Sequence, residues 1–209
     1  MLDTLEQITG SQAHNLMQSM LFDANTATPP HQDWWYLDSV PSGHLLAAWI
    51  ALEDIDERAG RFFVVAKSHG IALHEPGLAH SDWLVRMRQF CESNPQRVYA
   101  PELRKGDVLF WNSRTVHGSL PTQDEKYSRK SLTAHYLPAE MTFGNLFTRK
   151  DWVDYRQHGT HRYFVNQPEY SLKAVLLSKI RNALYDRPAL LSLARRFQRK
   201  SLSELSNRP

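Results

Sequence analysis

The chain has 209 residues, 42% of them apolar and 11% aromatic, and carries a net charge of +3 at neutral pH. That length suits one domain with a sizeable core, and so mild a charge gives no ground for a nucleic-acid partner. Cys91 is the only cysteine, which excludes an internal disulfide and a thiolate metal cluster.

Met1-Leu2-Asp3-Thr4 lacks the basic and apolar regions of a secretory signal. No later run reaches the ~18 consecutive apolar residues of a membrane span. The expectation is a soluble, cytoplasmic protein without a transmembrane segment. Residues 1–16 are polar and read as a short helix or loop, and residues 15–22 as a strand. A Pro- and Thr-rich loop over 23–30 leads into a strand that begins at His31. Pro41-Ser42-Gly43 marks a turn, and the nearly all-apolar run at 45–52 reads as a strand buried on both faces. Residues 61–66 form another strand, closed by Ser68-His69-Gly70. From Ser81 the period changes: Trp83, Leu84, Met87, Phe90 and Cys91 recur at helical spacing, with Ser81 as N-cap. A short strand at 97–100, a turn at Lys105-Gly106 and strands at 108–111 and 131–137 follow.

After Pro138 the character shifts. Residues 141–170 read as loops and short elements covering the barrel. Leu172, Val175, Leu176, Ile180, Ala183 and Leu184 form a helical stripe, and Pro188 suits the first turn of a last helix. The predicted fold class is mainly β with flanking helices, as a jelly roll. One domain spans 1–209, with its core at about 12–138 and a helical region at about 171–204.

The residues that carry chemistry begin with His31-Gln32-Asp33. On an extended strand, side chains two apart point to the same side, so His31 and Asp33 converge as a ligand pair must. Alone this signal is weak, since His-x-Asp arises often by chance. A later segment, running from Gly106 through Trp111 to His117-Gly118-Ser119, offers a third ligand in His117. Two histidines and one carboxylate leave open coordination positions, the arrangement that suits Fe(II) oxygenases. Arg129 follows His117 at a distance that allows a turn and entry into the next strand, where its guanidinium could grip a carboxylate bidentately. Ser131, two residues on, shares that face and could add a hydroxyl. Alternation also puts Trp35 on the ligand face, as a pocket candidate, with Trp34 and Tyr36 opposite.

HQDWWYL at 31–37, WIALEDI at 49–55, KSHG at 67–70, GDVLFWNSRTVHGS at 106–119 and RKSLTAHY at 129–136 occur in one order. Together they resemble the phytanoyl-CoA dioxygenase family of Fe(II)/2-oxoglutarate-dependent oxygenases over roughly residues 12–138. The resemblance implies a double-stranded β-helix, the cupin-like jelly roll. It implies iron at His31, Asp33 and His117, the 2-oxoglutarate distal carboxylate at Arg129, and dioxygen as oxidant. It also carries Trp49 and Gln18 over as neighbours of the cosubstrate. Related halogenases carry a small residue where this chain has Asp33, so the carboxylate argues for hydroxylation.

Only 30 residues precede His31, fewer than the family usually has, which leaves a compact variant or a truncated gene product. The expected function is hydroxylation of an unactivated C–H bond in a small molecule, with release of succinate and carbon dioxide. Cyclisation, desaturation and epimerisation use the same centre. The rival from another class is a non-catalytic jelly-roll binding protein. Basic residues on the last helices, among them Lys179, Arg195 and Arg199, suit an anionic membrane surface or, as charge runs usually do, a solvated face.

Overall fold

The computed structural model describes residues 1–71, 73–75, 77–145 and 153–164. The helical region expected at about 171–204 and its basic residues lie outside them. The chain falls into two compact units, one of Met1–Ile71 with Phe90–Asn166, the other of Ala72–Gln89 with Gln167–Pro209.

In the first unit α1 (Leu2–Thr9) precedes β1 (His14–Phe22), β2 (Asp38–Val40), β3 (Leu46–Ala51) and β4 (Phe62–Val65). Helix α2 (His80–Ser93) begins in the second unit and ends in the first. Then come β5 (Val98–Tyr99), β6 (Val108–Asn112), β7 (His117–Ser119), β8 (Ser131–Pro138), β9 (Thr142–Gly144), β10 (Tyr155–His158) and β11 (His161–Phe164). A six-stranded sheet has the order β10-β11-β1-β8-β3-β6, and a three-stranded sheet the order β5-β4-β7. β2 and β9 pair separately. This is the jelly roll that the strand pattern predicted.

Alternation along β3 explains its unbroken apolar run. Ala47, Trp49 and Ala51 point inward to a cluster with Trp111 of β6 and Phe62 of β4, so this layer joins the two sheets. Leu46 and Ala48 point outward, to a second cluster with Ala134 and Tyr136 of β8 and Leu5 of α1. Helix α1 therefore covers the back of the large sheet through Leu5, which is fully buried. It stops at Gly10, whose left-handed φ of 73° lets its N–H return to the Glu6 carbonyl.

Two expectations are corrected and one is made specific. His31 and Asp33 do not lie on a continuous strand: His31 makes an isolated bridge, Gln32 is extended, and a 3-10 turn follows at Asp33–Trp35. Within residues 141–170, expected as loops and short elements, 155–164 form a hairpin. Its two-residue turn starts at Gly159, where φ is +60°, the geometry that favours tight hairpins. Helix α2 starts one residue before Ser81, at His80.

In the second unit the described residues are the loop before α2 and the helix as far as Gln89. Arg86 bonds Glu75 at 2.9 Å, and Trp83 and Met87, four residues apart, are fully buried. Among the described residues no helix is long and apolar enough to cross a membrane.

Candidate metal centre

Backbone pairing assembles the site before any side chain does. His31 and His117 exchange both of their main-chain hydrogen bonds, each 2.9 Å, as an antiparallel pair. Directly opposed residues project to one face, and the two imidazoles stand with centroids 4.2 Å apart. Because Gln32 is extended (φ −121°, ψ 134°), Asp33 returns to the side of His31, as the two-residue period requires. Gln32 points away, donating to the Arg114 carbonyl and accepting from Trp34 Nε1 at 2.9 Å.

Asp33 Oδ1 lies 3.7 Å from His31 Nε2 and 3.5 Å from His117 Nε2. All three donor atoms fall within 4.8 Å of one another. The outer nitrogen of each ring is committed: Nδ1 of His31 meets the Pro29 carbonyl and Nδ1 of His117 the Thr115 carbonyl, both at 2.9 Å. A carbonyl only accepts, so each Nδ1 carries a proton, and Nε2 is the ring nitrogen left to serve a metal. The donor set is the one that holds ferrous iron with positions to spare.

Electrostatics agree with that role. Asp33 is 4% exposed. Burial works against its charge, but the His117 and His135 rings outweigh burial and hold its pKa well below the usual carboxylate range. Asp33 Oδ2 accepts a hydrogen bond from Trp111 Nε1 at 2.8 Å, and His135 Nε2 stands 3.4 Å away. Tyr36, 41% exposed, presents its edge to His31 with centroids 5.9 Å apart. Its hydroxyl is pushed up to about 12 by burial and then by Asp33.

Arg129 is the second feature. It lies just ahead of β8, 2% exposed, and donates through Nη1 to the Gly60 carbonyl at 3.0 Å and to Ser119 Oγ at 2.9 Å. Its Nε has no hydrogen-bond partner among the described residues, and no acidic group there pairs with it. Burial alone pulls the guanidinium down to about 10. Such a cation is costly unless something anionic meets it. Gly60 is held at φ +79°, and a Cβ there would press on Asn25 Nδ2 and the Leu120 carbonyl, so only glycine presents its carbonyl to Arg129 in this way.

The remaining predicted site residues divide. Trp49 is 2% exposed, with the Arg129 guanidinium carbon 5.8 Å from its ring centroid, and it stacks on Phe62 at 5.7 Å. Gln18 is exposed; it pairs with His135 across β1 and β8, past a register shift between Leu16 and Gln18, and so shares the face of His135. Ser131 is fully buried, but its hydroxyl turns back to the Arg129 carbonyl at 3.4 Å; the hydroxyl that reaches the guanidinium is Ser119's. Trp35 stands on the 3-10 turn, 1% exposed, so the strand alternation that made it a pocket residue does not apply. Three residues at the site had not been singled out: Ser119, Trp111 and His135. The His-x-Ser spacing on β7 was a readable signal for Ser119, and position 135, alternate to 131 and 133, for His135. Trp111 offered none beyond its place on a strand.

The phytanoyl-CoA dioxygenase (PhyH) family model matches residues 1–131. The chain belongs to the phytanoyl-CoA dioxygenase family. It is 29% identical over 115 residues to the peroxisomal phytanoyl-CoA dioxygenase of Bos taurus, covering 53% of this chain and 34% of that protein. To the peroxisomal phytanoyl-CoA dioxygenase of Homo sapiens it is 25% identical over 159 residues, covering 73% and 46%. The chain thus matches less than half the length of these relatives. Among solved structures it is similar to the non-heme alpha ketoglutarate dependent carbocyclase SnoK from nogalamycin biosynthesis. That match has a TM-score of 0.53 and 21% identity, over 68% of this chain and 57% of SnoK. EctD from S. alaskensis, solved with 2-oxoglutarate and 5-hydroxyectoine, gives a TM-score of 0.53 at 17% identity, over 72% and 54%. These structural likenesses establish the fold that family membership carries.

Proposed function

We propose that this chain is a non-haem iron, 2-oxoglutarate-dependent dioxygenase that hydroxylates an unactivated C–H bond of a small molecule. The observation that carries the reading is a juxtaposition. Two imidazole nitrogens and one carboxylate oxygen converge on one point, while a buried guanidinium with no anionic partner among the described residues waits in the same barrel.

In this reading His31, Asp33 and His117 hold the iron. When bound, ferrous iron supplies the redox chemistry that couples dioxygen and 2-oxoglutarate to substrate oxidation, releasing succinate and carbon dioxide. Arg129 and Ser119 take the far carboxylate of 2-oxoglutarate, and Trp49 forms the apolar wall beside it. Phe62 and Trp111 pack against His117, with centroids 5.6 Å and 4.9 Å away, and keep water from that side of the cluster. The protein's part is to orient the reactants and exclude water.

The test is anaerobic titration of the Fe(II)-loaded protein with 2-oxoglutarate, followed by the visible metal-to-ligand charge-transfer band. The expected result is a saturable band that is lost in Arg129→Ala. A protein that binds iron and never develops the band would overturn the proposal in favour of a jelly-roll binding protein.

A further inference from the structure

The two oxygens of Asp33 have different surroundings. Oδ1 faces the histidines, 3.7 Å from His31 Nε2 and 3.5 Å from His117 Nε2. Oδ2 faces away, accepting from Trp111 Nε1 at 2.8 Å with His135 Nε2 at 3.4 Å. We propose that Trp111 and His135 are positioning residues that clamp Oδ2 and so restrict Asp33 to a single metal-facing oxygen.

The sheet builds this clamp in one row. Trp111 of β6 pairs with Ala47 of β3, and Ala47 pairs in turn with His135 of β8. Directly paired residues share a face, so all three point inward. Ala47 between them is fully buried and contributes only a methyl group. The two large rings therefore lean over it toward one carboxylate, edge to face, with centroids 6.1 Å apart. Trp111 is 4% exposed and His135 2%. Neither ring nitrogen of His135 meets a hydrogen-bond partner of ordinary geometry among the described residues. Among the described residues, the ion-pair contact of this buried imidazole is with Asp33.

The consequence is a matter of coordination positions, and it rests on the iron reading given above. A carboxylate with both oxygens free can chelate a metal ion and occupy two positions. In an octahedral site that also carries two imidazoles, two positions then remain, and a chelating 2-oxo acid fills both. With Oδ2 held by the indole N–H, Asp33 occupies one position and a place is kept for dioxygen.

Cobalt(II) tests the clamp without turnover, because its visible ligand-field spectrum reports coordination number. Trp111→Phe keeps the aromatic packing and removes the indole N–H. His135→Ala removes the second contact, and His135→Gln leaves a donor in its place. Expected are a roughly ten-fold or greater loss of cobalt affinity in Trp111→Phe and in His135→Ala, of the size typical for groups that orient metal ligands. Each should also change the ligand-field spectrum, with partial recovery in His135→Gln and little change in the Tm of the metal-free protein. Wild-type affinity with an unchanged spectrum in both variants overturns the proposal, as does a lowered Tm with unchanged cobalt binding. If Trp111→Phe does not fold, the His135 pair decides. A wild type that binds cobalt normally but shows no 2-oxoglutarate band on iron defeats the oxygenase reading alone. A wild type that binds no cobalt defeats both.

Discussion

Ser119 Oγ accepts a hydrogen bond from Arg129 Nη1 at 2.9 Å, and through it β7, the strand of His117, reaches the buried guanidinium. His117 and Ser119 are two residues apart on β7, so one short strand serves both the candidate ligand cluster and the cation. Two consequences concern that cation directly, if it is a ligand site and not part of the core.

Arg129→Met is expected to leave the metal-free protein as stable as the wild type or more so, because a buried charge that no anion among the described residues answers is replaced by packing. Each kcal/mol recovered would raise Tm by about 2–4 °C in a protein of this size. The same variant should lose the thermal shift that 2-oxoglutarate produces in the metal-loaded wild type. Scanning fluorimetry with and without the oxo acid measures both, and a Tm several degrees below wild type would mean that Arg129 is structural.

Ser119→Ala should weaken 2-oxoglutarate by about five-fold, the equivalent of roughly 1 kcal/mol for one hydrogen bond. Arg129 keeps its bond to the Gly60 carbonyl and hence its place. Isothermal titration of the anaerobic Fe(II) protein reads the difference, and Ser131→Ala, whose hydroxyl turns to the Arg129 carbonyl, should have the smaller effect.

His117→Ala removes a ring but not the main-chain bridge to His31, so the barrel should still close. Manganese(II) affinity, measured by calorimetry, should fall by more than the roughly 10–100-fold typical of groups that merely orient a ligand. Far-ultraviolet circular dichroism should stay unchanged. Affinity within a few-fold of wild type would remove His117 from the metal set.

Leu5→Ala cuts the contact between α1 and the back of the large sheet, where Leu5 is fully buried. A loss of about 2–5 kcal/mol in unfolding free energy is expected. Metal affinity should be unaltered, because that face is opposite the cluster. Denaturant unfolding and a manganese titration on one preparation check both parts.

Cys91 should be slow to alkylate at neutral pH. Burial, and then Glu92, push its thiol up to about 11, so little thiolate is present. The rate should climb about ten-fold per pH unit toward that value, whereas an ordinary thiol levels off above about 8.5. Between those pH values the unfolded chain has already released a proton that the folded chain keeps, so this group lowers stability as pH rises through the window. Iodoacetamide kinetics between neutral pH and about pH 10 give the profile.

Much of this was legible along the chain. The apolar run of β3, the turn at Lys105-Gly106 and the alternation of β8 predicted the strands, because burial on one or both faces writes a period directly into sequence. His31 and Asp33 point the same way because one extended residue separates them, which is a local matter. The hairpin at Tyr155–His158 and His161–Phe164 was not legible, since its strands carry polar and aromatic residues with no clean alternation.

What stayed out of reach was every relation that depends on register between distant strands. That Ser119 rather than Ser131 meets Arg129, and that Trp111 and His135 flank Ala47, follow from long-range pairing. A strand's own sequence states which residues share a face, because the side-chain period is two. It does not state which neighbour that face will meet, since pairing is settled by the packing of the whole barrel.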